Sequence, residues 1–468
     1  MKTKKLLGLF LAFILLASSL VYVVSADTPP EGVEITDMYS PWAAWDIFMA
    51  GDIYGLGNEG TYSNFRGGFT DGKFLPVLES LCKKFGAEVS LEVTNERALT
   101  RGETISELYI VICEALGTDP DMPAIGYFID NGLIKGRSSG DYQLDQKCTT
   151  EEMIIFSVRV YEHLCYELGL DSKGLFWKIT GEGLPNTVYL LGTIHFGDNS
   201  IYPFSKAMMK AFDESAYLGV EANVYTMSED EISYIAQIQM IQDGGTIRDY
   251  ISEETYELYK EAAEGFGLSA EVYDYIKPWA ASLFIQQAIL SNETAANAIS
   301  ASLGMDMFFL TKAVSFYKNI VEIESIKYQL DLFDSFSKEL QEMLLLSVIA
   351  PPPAEEGEDA LSAEEMAELI RAFMAYMLEA IRTGDADALT EIIMAEIDYS
   401  DPLMAEYNTK LIDMRNATMA EAIERYLADE EAEGDFFVAV GAGHTVGETG
   451  IVNVLRSKGY TVEFLGGN

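Results

Sequence analysis

Two apolar runs in this chain each end in a small-residue turn that carries a histidine. The first is Val188–Leu191, followed by Gly192-Thr-Ile-His195, and the second is Phe436–Val440, followed by Gly441-Ala-Gly-His444. The chain has only three histidines, so two of them occupy the same kind of turn. In α/β proteins, a strand that ends in such a turn places the next polar side chain at the carboxyl edge of the sheet, where ligands bind. The pair therefore predicts an α/β fold in which the two turns form one site.

The rest of residues 175–468 alternates extended and helical patterns. Apolar runs bounded by turn residues predict strands, and apolar positions at helical spacing predict the helices between them. The predicted strands are Leu175–Thr180, Val188–Leu191, Tyr217–Glu221, Asn319–Glu324, Phe436–Val440 and Tyr460–Leu465. Because helices separate most of these strands, the region predicts a mixed α/β (α+β) domain with a central sheet and a large helical insertion.

Residues 30–170 show a degenerate internal repeat with a helical pattern. Three segments share one frame, in which a cysteine near the end of a helical pattern is followed four residues later by glycine, at Cys82–Gly86, Cys113–Gly117 and Cys165–Gly169. Glycine after a helix favours a left-handed cap, so each segment predicts a helix end. With Cys148, the cysteines allow two disulfides in three pairings, but equivalent positions in repeated helices favour small buried apolar residues.

This segment resembles S-layer homology modules, the small helical repeats that attach exported proteins to bacterial cell walls. The resemblance rests on Leu99-Thr-Arg-Gly-Glu103, close to the helix opening of those modules, and on Tyr127–Gly136 with Gly140-Asp-Tyr142. It implies a mainly helical repeat domain that binds a cell-wall polymer. The openings at Phe69–Gly72 and Cys148–Glu151 lack the arginine that such modules use for the anionic polymer, which leaves open a helical domain without that ligand.

The first 26 residues have the pattern of a secretory signal peptide. Three lysines precede a long apolar run, which ends at Val24-Ser-Ala26, a cleavage site of the usual small-residue type. The run is long enough to span a bilayer, so an uncleaved anchor is the alternative. The sequence therefore predicts a secreted, extracellular or cell-wall-associated protein. The 31 lysines and arginines against 75 aspartates and glutamates give a formal charge of −44, which argues against nucleic acid as a partner.

Strand ends also supply the carboxylates of the candidate site. Glu221 ends a predicted strand, and Glu324 ends another and is the second choice. Two imidazoles, from His195 and His444, with one or two carboxylates form a usual ligand set for a divalent first-row metal. Such a metal lowers the pKa of a bound water and polarises a carbonyl, and a remaining carboxylate acts as general base. Arg415 is suited to hold a substrate carboxylate or to stabilise an oxyanion.

The motifs of residues 175–468 occur in the order found in one protein family. They are Tyr189–His195 with Gly197-Asp198, Val220-Glu221, Lys277–Trp279, Gly304–Asp306, Glu324-Ser325 with Gln329, Gly384-Asp385, Arg415-Asn416, Val440–His444 and Gly459-Tyr460. In this set the chain resembles the TraB/PrgY/GumN family, which includes the TIKI proteins. The resemblance implies an active site formed by the two Gly-x-x-His motifs with a glutamate and an arginine. For the TIKI branch it implies a metalloprotease that uses manganese or cobalt.

Two functions are compatible with these residues. The first is a metal-dependent hydrolase of a peptide or protein substrate, with manganese, cobalt or zinc bound by His195, Glu221 and His444, and with Glu324 as a further ligand. The second is a non-catalytic surface protein that binds or sequesters a peptide or a haem-like ligand. The third histidine, His163, lies in a repeat helix and has no predicted role.

Overall fold

The computed structural model describes residues 38–88, 93–120, 122–136, 140–265, 267, 269–291, 300–350, 363–395 and 399–467. The chain divides into two compact units, one formed by Gly32–Ser172 with Tyr202–Lys206 and the other mainly by Lys173–Ile201 and Ala207–Asn468. The predicted signal peptide lies outside the described residues. Among the helices of the described ranges, none is long and apolar enough to cross a membrane.

The smaller unit is built from helices. They are α1 Ala44–Phe48, α2 Asp71–Phe85, α3 Arg101–Leu116, α4 Ala124–Asp130 and α5 Thr150–Glu167. The helices α2 and α3 end as predicted, at Gly86 and Gly117, whose φ angles of 65° and 64° lie in the left-handed region. Thr100 and Thr149 each open a helix with a capping box, in which a glutamate three residues later bonds back to the threonine backbone.

Most of the cysteines of this unit are buried inside it, and so is Arg101, the arginine of the Leu99–Glu103 motif. The four cysteines, all in described residues, form no disulfide, and Cys113, Cys148 and Cys165 are buried, as small apolar residues would be. Arg101 is buried and pairs with Glu152, while its Nε donates to a backbone carbonyl 3.0 Å away. The guanidinium is therefore engaged inside the unit, and cell-wall binding stays a prediction from the sequence.

A six-stranded sheet forms the centre of the larger unit. Its strands are β1 Leu175–Thr180, β2 Val188–Thr193, β3 Tyr217–Val220, β4 Asn319–Glu322, β5 Phe436–Gly441 and β6 Thr461–Phe464. They lie in the order β4-β3-β5-β2-β1-β6. The strands β4, β3, β5 and β2 pair in parallel, whereas β1 pairs antiparallel with β2 and with β6. This sheet, accompanied by many helices, confirms the predicted α/β fold class.

The remaining α-helices of the described residues accompany these strands. They are α6 Lys206–Glu214, α7 Glu229–Ile238, α8 Glu253–Gly265, α9 Ala270–Tyr273, α10 Pro278–Ser291, α11 Met305–Ser315, α12 Ile326–Asp334, α13 Lys338–Ile349, α14 Ala363–Thr383, α15 Ala386–Ala395, α16 Pro402–Asn408, α17 Met414–Ala428, α18 Ala442–Thr445 and α19 Ile451–Ser457. Most of them lie between β3 and β5 in sequence, as a large helical insertion requires.

Helices cover both faces of the sheet at its central strand. Every residue of β5 is buried, and successive side chains of a strand point to opposite faces. On one face, the rings of Phe437 and Phe309 of α11 lie 4.8 Å apart. On the other face, Phe436 stacks between Tyr217 of β3 and Tyr426 of α17, each at 4.6 Å. Because both faces of the sheet are packed in this parallel part, the edge where the parallel strands end is the place left for a site.

Candidate functional site

Four parallel strands deliver candidate residues to one edge of the sheet. His195 follows β2, Glu221 follows β3, Glu324 follows β4 and His444 follows β5. Because parallel strands end at the same edge, these four residues lie together at the carboxyl edge of the sheet. All four are buried. The strands β3 and β4 end slightly earlier than predicted, so both glutamates lie just beyond the sheet rather than in it.

A buried arginine joins the two glutamates. Arg415 Nη2 donates to Glu221 Oε2 at 2.6 Å and to Glu324 Oε2 at 2.8 Å, and its Nε donates to both oxygens of Glu324. Gln329 Nε2 donates to one oxygen of each glutamate. Burial alone would raise the pKa of Glu221, but Arg415, the two imidazoles and the Gly441 N–H hold that pKa well below its ordinary value. The site therefore contains two carboxylates around one permanent cation.

The arginine and its neighbour Asn416 follow an unusual helical turn. Residues Thr409–Asp413 form a π-helical turn between α16 and α17, and such turns occur often at functional sites. Both Arg415 and Asn416 are buried, although consecutive residues of a helix point in directions about 100° apart. The Nε and Nη2 groups of Arg415 bind protein carboxylates here, so the predicted contact of Arg415 with a substrate stays a prediction.

Asn416 holds His444 in one orientation. Asn416 Nδ2 donates to the backbone carbonyl of Thr449 at 3.0 Å, so the amide oxygen faces the imidazole. His444 Nδ1 therefore donates to Asn416 Oδ1, 2.7 Å away, and Nε2 carries the lone pair. Burial and the nearby charge of Arg415 lower the pKa of His444 to about 3, which keeps this imidazole neutral near pH 7.

A segment to which the sequence assigned no role lies against His195. His195 Nδ1 lies 3.0 Å from Asp306 Oδ2 at the start of α11, although the N–H is not aligned with that oxygen as in a linear hydrogen bond. A Cβ on Gly304 would lie 2.8 Å from the carbonyl carbon of His195, so only glycine fits where the two segments touch. Burial opposes the charged form of His195, but Asp306 and Glu221 raise its pKa above the ordinary value.

The two imidazoles and Glu221 converge on Gly441. A Cβ built on Gly441 would lie 3.2 Å from Glu221 Oε1, 3.6 Å from His444 Cδ2 and 3.7 Å from His195 Nε2. Within the described residues, neither Nε2 atom has a hydrogen-bond partner. The backbone N–H of Gly441 donates to Glu221 Oε1 at 2.6 Å. The missing side chain of Gly441 thus leaves a small space among three groups that are able to bind a cation or a water.

A cavity of about 30 Å³ adjoins His195 and Glu221. That volume holds about two water molecules. Two oxygen atoms of its lining residues, Thr193 Oγ1 and Asp306 Oδ1, are buried and have no hydrogen-bond partner in the part of the chain that the structure describes. Because buried polar atoms almost always have a partner, these two indicate a place for water or for a ligand.

The donor atoms of this site suit a divalent metal ion in type, but they do not surround a common point. Two imidazole nitrogens and a carboxylate oxygen form a usual donor set for such an ion. Across the described ranges, however, no three His, Cys, Asp or Glu side chains lie close enough together to hold a metal ion. Both oxygens of Glu324, the second predicted carboxylate, are bonded to Arg415. A bound ion would therefore have to draw His195, His444 and Glu221 together.

Filling the space at Gly441 is expected to block the site without unfolding the protein. In Gly441→Ala the backbone suits alanine, since φ is −50°, but the new methyl group would lie 3.2–3.7 Å from Glu221, His195 and His444. We expect the affinity for manganese, measured by calorimetry, to fall by about 10-fold or more, equivalent to about 1.4 kcal/mol. Gly265→Ala, where a Cβ meets no atom within 4 Å, is the control. Equal affinity in the two variants would contradict the shared space.

Comparison of the sequence with models of protein families identifies the family of the larger unit. The model of the TraB/PrgY/gumN family matches residues 175–464, which include every residue of the site. The chain belongs to this family. The family predicted from the sequence motifs is therefore confirmed for the larger unit, whereas the S-layer homology resemblance of residues 30–170 stays a prediction.

This TraB-family chain is similar in sequence to proteins of several organisms. An uncharacterized protein of Treponema pallidum (strain Nichols) is 22% identical over 294 residues, or 61% of this chain and 80% of the relative. Metalloprotease TIKI1 of Danio rerio is 23% identical over 318 residues (63% of each chain), and metalloprotease TIKI2 of Xenopus tropicalis is 24% identical over 304 residues (59% and 57%). The chain thus spans less than two thirds of the two TIKI proteins. No solved structure matches it.

The structure brings together all the residues that the sequence proposed for the site. They are His195, Glu221, Glu324, Arg415 and His444. Sequence reasoning gave no role to Asp306, Asn416 or Gln329, which contact them. The signal for all three was their place in the family motifs, at Gly304–Asp306, at Arg415-Asn416 and at Gln329 after Glu324-Ser325. His163 lies in the smaller unit, with its Nε2 2.7 Å from Tyr127 Oη.

Proposed function

We propose that the larger unit is a metal-dependent hydrolase that cleaves a peptide bond in a peptide or protein substrate, and that the protein acts in a secreted or cell-wall-associated location. The observation that carries the proposal is the convergence of two imidazoles and Glu221 on Gly441, beside a cavity of water size. The similarity to two proteins named metalloproteases supports it.

Three side chains would hold the ion. They are His195 and His444, through their Nε2 atoms, and Glu221, through Oε1. When bound, a divalent ion lowers the pKa of a coordinated water towards neutrality and polarises a carbonyl oxygen. Arg415 fixes the position of Glu221 through Oε2, which leaves Oε1 turned towards the imidazoles.

Other residues of the unit prepare the cavity for a water and a substrate carbonyl. Thr193 Oγ1 is able to donate a hydrogen bond to a carbonyl oxygen placed in the cavity. Because both oxygens of Glu324 are bonded to Arg415, the cavity oxygen left to accept a proton is Asp306 Oδ1. Apolar lining residues such as Leu310 exclude bulk water, which strengthens the polar interactions inside.

Metal analysis beside peptide turnover tests this function. The full chain, purified without chelator, is expected to carry about one equivalent of manganese, cobalt or zinc by mass spectrometry and to cleave members of a peptide library. Dialysis against a chelator is expected to remove the metal and the cleavage together, and return of the ion to restore both. Cleavage that survives complete removal of metal would contradict metal dependence, and absence of cleavage with metal bound would contradict the hydrolase.

The alternative from the sequence is capture of a peptide or a haem-like ligand without catalysis. The cavity at the site measures about 30 Å³, whereas pockets for cofactors of haem size measure about 300–1,000 Å³. The site as described therefore favours a small reacting group over a haem. Tight binding of library peptides without any cleavage would favour peptide capture instead.

A further inference from the structure

Each imidazole of the site contacts an outer residue at its Nδ1 atom. We propose that Asp306 and Asn416 are positioning residues that fix His195 and His444 as Nδ1–H tautomers, so that each Nε2 atom carries a lone pair beside the space at Gly441. The effect of these two residues on turnover rests on the proposed hydrolase function. Their effect on the tautomers does not, and the two parts are measured separately.

The geometry at His195 leaves one choice for its neutral form. An ionised carboxylate accepts hydrogen bonds and donates none, so Nδ1, 3.0 Å from Asp306 Oδ2, is the nitrogen that carries the proton. Nε2 is on the opposite side of the ring and lies 3.7 Å from the Cβ position of Gly441. The partner at one ring nitrogen thereby decides whether the other nitrogen carries a proton or a lone pair.

At His444 an uncharged side chain, Asn416, imposes the same Nδ1–H tautomer. Asn416 is itself fixed, since its Nδ2 donates to the carbonyl of Thr449, and only its oxygen is left for the imidazole. Two unrelated segments, the start of α11 and the start of α17, thus impose one tautomer on two histidines. Packing does not require the two histidines to have the same tautomer, because either tautomer fills the same volume.

The agreement matters for any reaction at Gly441. A histidine that lost its Nδ1 partner would be free to place its proton on Nε2, and an Nε2–H group neither binds a metal ion nor accepts a proton. Residues that orient a metal-binding imidazole in this way change metal affinity or activity by about 10–100-fold when they are replaced. We expect the same range here for each of the two positioning residues.

A competing explanation for Asp306 is purely structural. Acidic residues in the first turn of a helix stabilise it through the helix dipole, and Asp306 lies in the first turn of α11. Asp387, in the first turn of α15 and exposed, offers a matched control without a histidine in contact. A dipole role predicts similar losses of stability in Asp306→Leu and Asp387→Leu and no change in any histidine tautomer.

Nitrogen NMR of the imidazoles tests the proposal directly, because the full chain has only three histidines. In the metal-free full chain, at a pH above the raised pKa of His195 so that both imidazoles are neutral, His195 and His444 are both expected to show a protonated Nδ1 and an unprotonated Nε2. Asp306→Leu is expected to shift only the His195 signals towards the Nε2–H form, and Asn416→Leu only those of His444. Asp306→Asn, which keeps an acceptor oxygen of the kind that Asn416 uses, is expected to retain the tautomer of His195.

Turnover and calorimetry supply the second arm. Both leucine variants are expected to lose about 10–100-fold in manganese affinity, while Asp387→Leu keeps the wild-type affinity. Asn416→Leu, which leaves the proton acceptor Asp306 Oδ1 in place, is expected to lose about 10–100-fold in kcat with KM nearly unchanged. An Nε2–H signal for either histidine in its neutral form in the wild-type protein, or unchanged tautomers in both leucine variants, would overturn the proposal. If the tautomers shift as expected but the wild-type protein cleaves no peptide, the hydrolase function fails and the positioning role stands.

Discussion

The variants His195→Ala and His444→Ala are each expected to lower kcat/KM for peptide cleavage by about 10²–10⁴-fold. His195 Nε2, His444 Cδ2 and Glu221 Oε1 border the same space at Gly441, so either truncation removes one of the three proposed ligand side chains. Bound metal, measured by mass spectrometry on the purified variants, is expected to fall together with turnover. The two readings have to move in parallel if one ion serves both histidines.

The double variant distinguishes one shared site from two separate contributions. Side chains that act as a unit show non-additive losses, so His195→Ala with His444→Ala is expected to be hardly worse than either single variant. His163→Ala is the control, because His163 lies in the smaller unit and contacts Tyr127 instead. Losses that multiply in the double variant, or full metal content in either single variant, would show that the two histidines work independently.

Arg415→Met is expected to destabilise the larger unit by about 3–5 kcal/mol, measured by urea unfolding. Arg415 is buried and donates to both Glu221 and Glu324, so its replacement leaves two buried carboxylates without their cation. Leaving one buried charge unpaired has a large effect because water cannot solvate it. Adding Glu324→Gln to Arg415→Met is expected to recover part of the loss, because one of the unpaired charges is removed.

An exposed arginine provides the matched comparison. Arg382 also forms a two-pronged pair, through Nε and Nη2 to the carboxylate of Glu379, but the pair lies at the surface of α14. Arg382→Met is therefore expected to change the free energy of unfolding by about 1 kcal/mol or less. Similar losses for the two arginine variants would mean that the buried network has no special role in stability.

Local sequence patterns were enough to predict the fold class and most of the strands and helices. The runs at Leu175–Thr180 and Phe436–Val440 are strands as predicted, because apolar residues between turn residues leave few alternatives. The order of the strands was not predictable from local patterns. Strand β5 lies between β2 and β3, its pairing partners, although more than two hundred residues separate them in sequence, and only the packing of the whole unit sets that order.

The candidate site was predictable where chemistry follows a strand end. That rule identified His195, Glu221 and His444, and the structure gathers them at one edge of the sheet. It did not identify Asp306, because an acidic residue at a helix start is common and usually serves the helix itself. Nor did the rule predict that Arg415 forms ion pairs with both glutamates. Arg415 lies on α17, far from Glu221 and Glu324 in sequence, and such a distant pairing produces no local sequence pattern.

The position of β5 in the sheet has a consequence for the time at which the proposed site is assembled. A ribosome makes β2 and β3 long before β5, so both strands wait with an unpaired edge until residue 441 exists. Contacts so distant in sequence also form slowly. The two histidine turns meet only when this late strand inserts between the early ones. The proposed site is therefore incomplete in unfinished or C-terminally clipped chains, and it is assembled only after synthesis is almost complete.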